Sequence, residues 1–138
     1  MSTEAFICNY RDGEPIGFDL ATVRDLLSTD DADWIGEHGF LRVRFEDPDD
    51  CVDIYFGNEA PETNHTGSIM VSRPITHPDF LQRVFRVMEL GDVMLFYSDE
   101  TTPVFVHGAD PGQYPDDLLR ELGEPRYANR PSDLLRRT

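Results

Sequence analysis

The chain has 138 residues, of which 27 are acidic and 12 are basic, so its formal net charge is −15. Its length predicts one domain, residues 1–138, and its hydrophobic fraction of 39% excludes an intrinsically disordered chain. All twelve basic residues are arginine. The lack of lysine excludes Schiff-base catalysis and the usual P-loop nucleotidases, and the negative charge disfavours binding to nucleic acid or to an anionic membrane.

The N-terminal part predicts a strand followed by a helix. Residues 5–9 form a short apolar run that precedes turn formers, which is typical of a strand leading into a loop. Asp19 is a candidate N-cap, and the apolar residues after it recur at three- and four-residue steps up to Ser28. The polar segment that follows is expected to contain one helical turn around Trp34 and Ile35.

A β-hairpin is the clearest strand signal in the chain. Apolar and polar residues alternate in 41–45 and again in 52–56, with a turn sequence between the two segments. The alternation places Arg42 on the polar side, where Asp53 is able to pair with it across the strands. A loop and a third strand, 68–72, follow the hairpin.

The strongest helix signal follows Pro78. Apolar residues at helical spacing continue to Leu90, Thr76 and Asp79 are candidate N-caps, and Gly91 supplies a stop. Two strands, 92–97 and 104–107, then predict a second hairpin.

The C-terminal segment predicts a short helix, an edge strand and a final turn. The helix has Pro115 near its start and ends at Gly123. Residues 125–128 are a candidate edge strand, and Ser132 is a candidate cap for the last turn. The predicted fold class is therefore α+β: a largely antiparallel sheet of five to seven strands, with two to four helices packed mainly on one face.

The chain carries no signal for secretion or for a membrane span. No stretch reaches the roughly 18 apolar residues that a span needs, and the N-terminal sequence lacks a basic region followed by an apolar run. We therefore expect a cytoplasmic protein. Cys8 and Cys51 are 43 positions apart, which matches neither a zinc nor a redox motif, so both are expected to be reduced thiols.

Two of the histidines are candidates for an active site. His77 precedes the main predicted helix and His107 ends a predicted strand, so the two could meet at one end of the sheet with Asp79 or Asp110. A small enzyme or small-molecule-binding domain using His77, His107 and nearby carboxylates is the alternative function. No G-x-G-x-x-G, H-E-x-x-H or nucleophile-elbow motif supports a specific reaction.

Two acidic segments contain residue types that bind metal ions. Glu59, Glu62, Asn64 and His65 lie close together in one loop, but nothing in their spacing fixes a coordination geometry. The aspartates of the 47–53 segment lack the glycine and glutamate positions of an EF-hand loop. The sequence therefore predicts no cofactor and no metal.

Acidic residues concentrate in the first half of the chain, and this is the feature with the sharpest functional reading. Residues 1–66 carry a net charge of −12 and residues 67–138 carry −3, from 16 acids and 4 arginines against 11 acids and 8 arginines. Such a field draws basic partners, and interleaved aromatic residues could anchor them. The candidate partner-binding residues are Asp30, Asp31, Asp33, Trp34, Glu37, Glu46, Asp47, Asp49, Asp50, Asp53, Tyr55, Glu59 and Glu62.

Size and composition resemble those of small bacterial immunity proteins, although no motif identifies a particular family. The resemblance implies a non-catalytic protein that neutralises a basic partner such as a toxin, acting as a monomer or homodimer. The composition also fits two origins unrelated to binding: arginine without lysine is typical of a GC-rich genome, and many acids favour solubility or life in high salt. A structural subunit that dimerises through an exposed edge strand is a third functional possibility.

Overall fold

The structure is a computed structural model that describes residues 3–35, 39–45, 51–73, 77–99 and 102–135. It is mixed α+β. Eleven strands lie within the described residues: β1 (Glu4–Arg11), β2 (Glu14–Pro15), β3 (Phe18–Asp19), β4 (Asp33–Ile35), β5 (Phe40–Arg44), β6 (Cys51–Gly57), β7 (His65–Thr66), β8 (Ser68–Ser72), β9 (Val93–Tyr97), β10 (Val104–Val106) and β11 (Arg126–Ala128). The α-helices among them are α1 (Leu20–Leu27), α2 (Pro78–Met88) and α3 (Asp116–Leu122), and three-residue to four-residue 3-10 helices occupy Pro61–Thr63, Pro111–Gln113 and Pro131–Leu134.

One large sheet organises the fold. Its strand order is β11-β10-β9-β1-β8-β6-β5-β4, and β2 pairs with the end of β1. Neighbours are antiparallel except for β10 and β11, which are parallel and joined through α3. Strands β3 and β7 form a separate two-stranded sheet.

The sheet has nine strands within the described residues, so the expectation of five to seven was too low. The two extra strands are β2 and β4. The helical turn expected around Trp34 and Ile35 was wrong, because this segment pairs in register with β5, Trp34 opposite Leu41 and Ile35 opposite Phe40. Tryptophan and isoleucine favour strands, but three residues between polar neighbours are too few to show an alternation of polarity.

The helix positions follow the sequence closely, but one cap differs. Asp19 caps α1 by accepting a hydrogen bond from the backbone N–H of Thr22, as predicted. At α2 the cap is His77, whose Nδ1 accepts from the backbone N–H of Asp79 at 3.1 Å. Asp79 is therefore not the cap, and Thr76 lies outside the described residues. Gly123 ends α3 with a φ of 103°, as its position predicts.

Helices cover the two faces of the sheet unequally. The face that we call the inner face carries Ile7, Ile54, Ile69 and Val71, and α1, α2 and Pro131–Leu134 pack on it to form the main core. On the opposite, outer face, α3 covers one end, where Met94, Phe105 and Tyr114 form a smaller cluster with the leucines of α3. None of the described helices is long and apolar enough to cross a membrane.

Candidate partner-binding surface

The structure separates the candidate residues into three groups and one outlier. Five of the thirteen, namely Glu37, Glu46, Asp47, Asp49 and Asp50, lie outside the described residues. The others are six carboxylates and two aromatic residues. The three groups occupy the inner side of edge strand β4, the outer face of the sheet, and a cleft between β5 and α2. Glu62 stands apart from them, exposed in the 3-10 helix Pro61–Thr63.

Arg24 assembles the first group. Its guanidinium carbon lies 4.1 Å from the centroid of the Trp34 ring, and its Nη2 donates to Glu59 Oε2 at 3.3 Å. Phe56 also contacts the indole, with ring centroids 6.2 Å apart. Trp34 is still 40% exposed. An arginine of α1 thus joins two candidates that are distant in sequence, and it holds the indole at the surface in one orientation.

Replacing Arg24 with glutamine is expected to loosen Trp34. The change removes the cation–π contact and the ion pair with Glu59, which together are worth about 1 kcal/mol at partly exposed positions. Trp34 is the single tryptophan of the chain, so acrylamide quenching of intrinsic fluorescence reports directly on it and should increase. Arg11→Gln is the matched control, because Arg11 is exposed and forms no ion pair with another described residue. Equal quenching in both variants would contradict the role given to Arg24.

Asp53 and Tyr55 form the second group, on the outer face. Arg42 binds Asp53 with two hydrogen bonds, Nε to Oδ1 at 2.9 Å and Nη2 to Oδ2 at 3.2 Å, so the predicted cross-strand pair is confirmed. The hydrogen bond and the charge of Asp53 raise the pKa of Arg42. Tyr55 lies beside Phe40, with ring centroids 5.2 Å apart. Because side chains alternate between faces, Trp34 and Tyr55 lie on opposite sides of the sheet.

The third group borders an open cleft of about 570 Å³ between the end of β5 and the start of α2. Asp30 and Asp31 line it with Phe45 and His77, whose rings stack at 4.7 Å. Asp33 stands at its edge, where it binds Arg44.

Both arginines of this cleft already have partners within the protein. Arg44 donates to Asp33 and to the backbone oxygen of Asp31. Arg83 donates to the backbone oxygen of Ser28 at 2.6 Å and to Asp79 at 3.2 Å. The two guanidinium groups thus fix the walls of the cleft, while Asp30 and Asp31 are exposed at its rim.

His77 and His107 do not come together. His77 lies at the N-terminal end of α2, whereas His107 lines a different cleft with Glu89, just past the C-terminal end of the same helix. Asp110 does not join either histidine in a site, because its carboxylate accepts from the backbone of Gly112 and from the side chain of Gln113. The expected meeting of the two histidines fails because the length of α2 separates them.

The polar side chains of the 59–65 loop form hydrogen bonds with residues at and just before the start of α1. Asn64 accepts from the backbone N–H of Ala21 at 2.8 Å and donates to Asp19. The Nε2 of His65 lies 3.0 Å from the backbone oxygen of Ile16, which makes this nitrogen a donor rather than a metal ligand. Within the described part of the chain, no group of three or more histidines, cysteines and acids is arranged to hold a metal ion.

Both cysteines are free thiols in the structure. Cys8 packs against the cluster beneath α3, and burial raises its pKa to about 12. A thiol with so high a pKa stays protonated at neutral pH and is a poor nucleophile. Cys8 therefore supports packing rather than catalysis.

Comparison with known proteins supplies no family for this chain. No protein-family model, no curated protein and no solved structure matches it. Its function must therefore be argued from the residues and geometry described above.

Proposed function

We propose that this chain is a non-catalytic binding protein whose acidic first half engages a basic protein, in the manner of an immunity or inhibitor protein. The observation that carries the proposal is the state of the candidate carboxylates. Asp30, Asp31 and Glu62 form no ion pair with a described residue. They stand on two separate loops of the half of the chain that carries −12 of the −15 net charge. Such charges attract a basic surface over a distance of about 8–10 Å at ordinary ionic strength.

The other described carboxylates support the proposal in a different way. Asp33, Asp53 and Glu59 are each bound by an arginine of the same chain, at distances that keep them in place. These pairs reduce the steering charge, but they present oriented groups next to Trp34 and Tyr55. An interface with aromatic anchors and fixed polar groups loses little side-chain entropy when a partner binds.

Salt-dependent association is the expected behaviour. The protein is used to capture its partner from native cell extract at about 50 mM NaCl, and the purified partner's association rate is then measured up to about 500 mM NaCl. The rate should fall by about tenfold or more over this range, because surface charges are screened. A rate that does not change with salt would refute the proposal, as would the absence of any protein released from the capture by salt.

Two variants that each remove three negative charges test which half of the chain speeds association. The triple variant Asp30→Asn, Asp31→Asn, Glu62→Gln should slow association about fivefold or more, because it removes steering charge. The control is Asp117→Asn, Glu121→Gln, Glu124→Gln, which removes three charges from the second half of the chain. The control should change the rate less than about twofold. Equal effects would show that total charge matters and that the acidic half does not.

A further inference from the structure

A continuous row of apolar side chains crosses the outer face of the sheet. In the strand register Phe96 lies opposite Phe6, Phe6 opposite Met70, Met70 opposite Tyr55, Tyr55 opposite Phe40, and Phe40 opposite Ile35. The row thus takes one residue from each of six neighbouring strands. With about 4.8 Å between strands, it is about 24 Å long. We call it the apolar row.

Most of the apolar row lies outside both cores of the protein. Phe6, Phe40, Tyr55 and Met70 belong to neither the main core nor the α3 cluster, and only Phe96 reaches the latter. Phe40 is buried, at 8% exposure, and the other three are partly exposed. The rings of Phe6 and Phe96 stack with their centroids 5.2 Å apart, and those of Phe40 and Tyr55 lie 5.2 Å apart in a tilted arrangement. A contiguous, partly exposed apolar stripe that no described helix covers is the kind of surface that proteins use for binding.

The next row on the same face is polar and has an excess of carboxylates. In register it consists of Glu4, Ser72, Asp53, Arg42 and Asp33, which amounts to three carboxylates and one guanidinium group. Arg42 and Asp53 already satisfy each other with two hydrogen bonds, and Asp33 is bound by Arg44. An apolar centre beside a polar border is the usual composition of a protein interface. The sign of the partner's charge follows instead from the net charge of −12 on residues 1–66, which supply four of the six strands in the row.

We propose that the apolar row is the centre of the docking face, and that its occupant is a basic protein surface with apolar residues in the middle and lysine or arginine around them. The inference rests on the proposed function for the sign of the partner's charge. It adds that the partner sits on the side of Tyr55 and Asp53, whereas Trp34 lies on the other side of the sheet. A second copy of this chain is a poor occupant, because each copy carries a charge of −15.

Two synthetic sixteen-residue peptides stand in for the unidentified partner and test the face. One alternates lysine with leucine, and the other alternates lysine with serine, so the two have equal charge. Affinities and amide shift changes are measured by NMR titration of the full chain at about 50 and 300 mM NaCl. The lysine–leucine peptide should bind about tenfold more tightly, with shifts centred on Phe6, Tyr55 and Met70.

Single substitutions test whether the outer face of the sheet binds the lysine–leucine peptide. Met70→Thr and Tyr55→Thr keep a residue suited to a strand. Each should weaken binding of the lysine–leucine peptide about fivefold or more and leave binding of the lysine–serine peptide unchanged. Leu90→Thr is the control and should change neither affinity, because Leu90 is exposed just past the end of α2 and is not part of the candidate surface. A thermal unfolding curve for each variant confirms that it is folded, and either outer-face variant alone suffices for the comparison.

The outcomes distinguish this inference from the proposed function. Equal affinity for the two peptides, or shifts centred on Trp34 and α1, would overturn the docking face while salt-sensitive binding of the lysine–serine peptide still supported an acidic binding protein. Affinities insensitive to salt would instead count against the proposed function. Self-association of the free chain at micromolar concentration, abolished by Met70→Thr in sedimentation equilibrium, would replace the basic partner with a second copy.

Discussion

Replacing Ile69 with alanine should lower the free energy of unfolding by about 3 kcal/mol, whereas the same change at the neighbouring Met70 should cost about 1 kcal/mol or less. The two residues are adjacent in β8 but face opposite sides of the sheet. Ile69 is 1% exposed and packs in the main core, so its removal leaves a cavity. Met70 belongs to neither core and is partly exposed, so its truncation leaves no enclosed cavity. Urea unfolding of both variants measures the difference.

This pair of variants also tests the uncovered state of the outer face. Both substitutions remove side chains of similar size from the same strand. The β-branched isoleucine also loses more strand propensity than methionine, but this difference is below about 1 kcal/mol. If Met70→Ala cost as much as Ile69→Ala, the outer face would have to be packed against something, and the proposed docking face would lose its basis. The m-values should agree with that of the unmodified chain, because neither change alters the surface exposed on unfolding by much.

Replacing Gly17 with alanine is expected to destabilise the protein by about 3 kcal/mol or more. Gly17 has a φ of +66°, a conformation that costs a side chain energy by itself. A Cβ at this position would also lie 2.2 Å from the backbone oxygen of Thr66 and 2.8 Å from the imidazole of His65. Because the Thr66 oxygen belongs to the backbone of a fully buried residue, it has no room to move. Pairing between β3 and β7, which adjoins the start of α1, should be lost first.

Gly13→Ala is the matched control for this clash. Gly13 has a φ of +80°, but nothing lies within 4 Å of the position that its Cβ would take. Its cost should therefore be that of backbone strain alone, about 1 kcal/mol. Thermal unfolding followed by circular dichroism gives both values. Similar melting temperatures for the two variants would show that the segment around Gly17 relaxes and that the close approach to Thr66 is not a constraint.

Local sequence signals were sufficient to predict the helices and the β5–β6 hairpin. Asp19 caps α1 because its side chain and the apolar spacing after it lie within one short segment. Residues 41–45 and 52–56 alternate in polarity, and two adjacent strands of this kind pair with each other in most folds. In each case the decisive interactions join residues close together in the chain.

Two features of the sheet could not be predicted in this way. Strand β4 forms a hairpin with the next strand, β5, but its three residues are too few to show an alternation of polarity. The order of the strands depends on long-range pairing, since β1 lies between β8 and β9. Coverage of the two faces depends on where α3 crosses, which alternation alone does not reveal.

The positions of the candidate residues on the two faces of the sheet could not be predicted from the sequence either. Trp34 and Tyr55 share a place among the candidates because both are aromatic and lie among acids, but pairing with β5 sends them to opposite faces. Arg24, which joins Trp34 to Glu59, was missed because its partners are distant in sequence. Phe40 was missed as well, although its place at the start of the strongest hairpin was a usable signal.

The central position of β1 also bears on how the chain is synthesised. The strand occupies residues 4–11, but its long neighbours begin at residue 68 and residue 93. At about 5–20 residues per second, a ribosome needs roughly 3–11 s to make the residues between β1 and the start of β8. During that time, of the strands that pair with β1 in the described structure, only the short β2 exists. Strand β1 therefore cannot take its place in the sheet until β8 has been made, and these long-range pairings favour slow, late completion of the sheet.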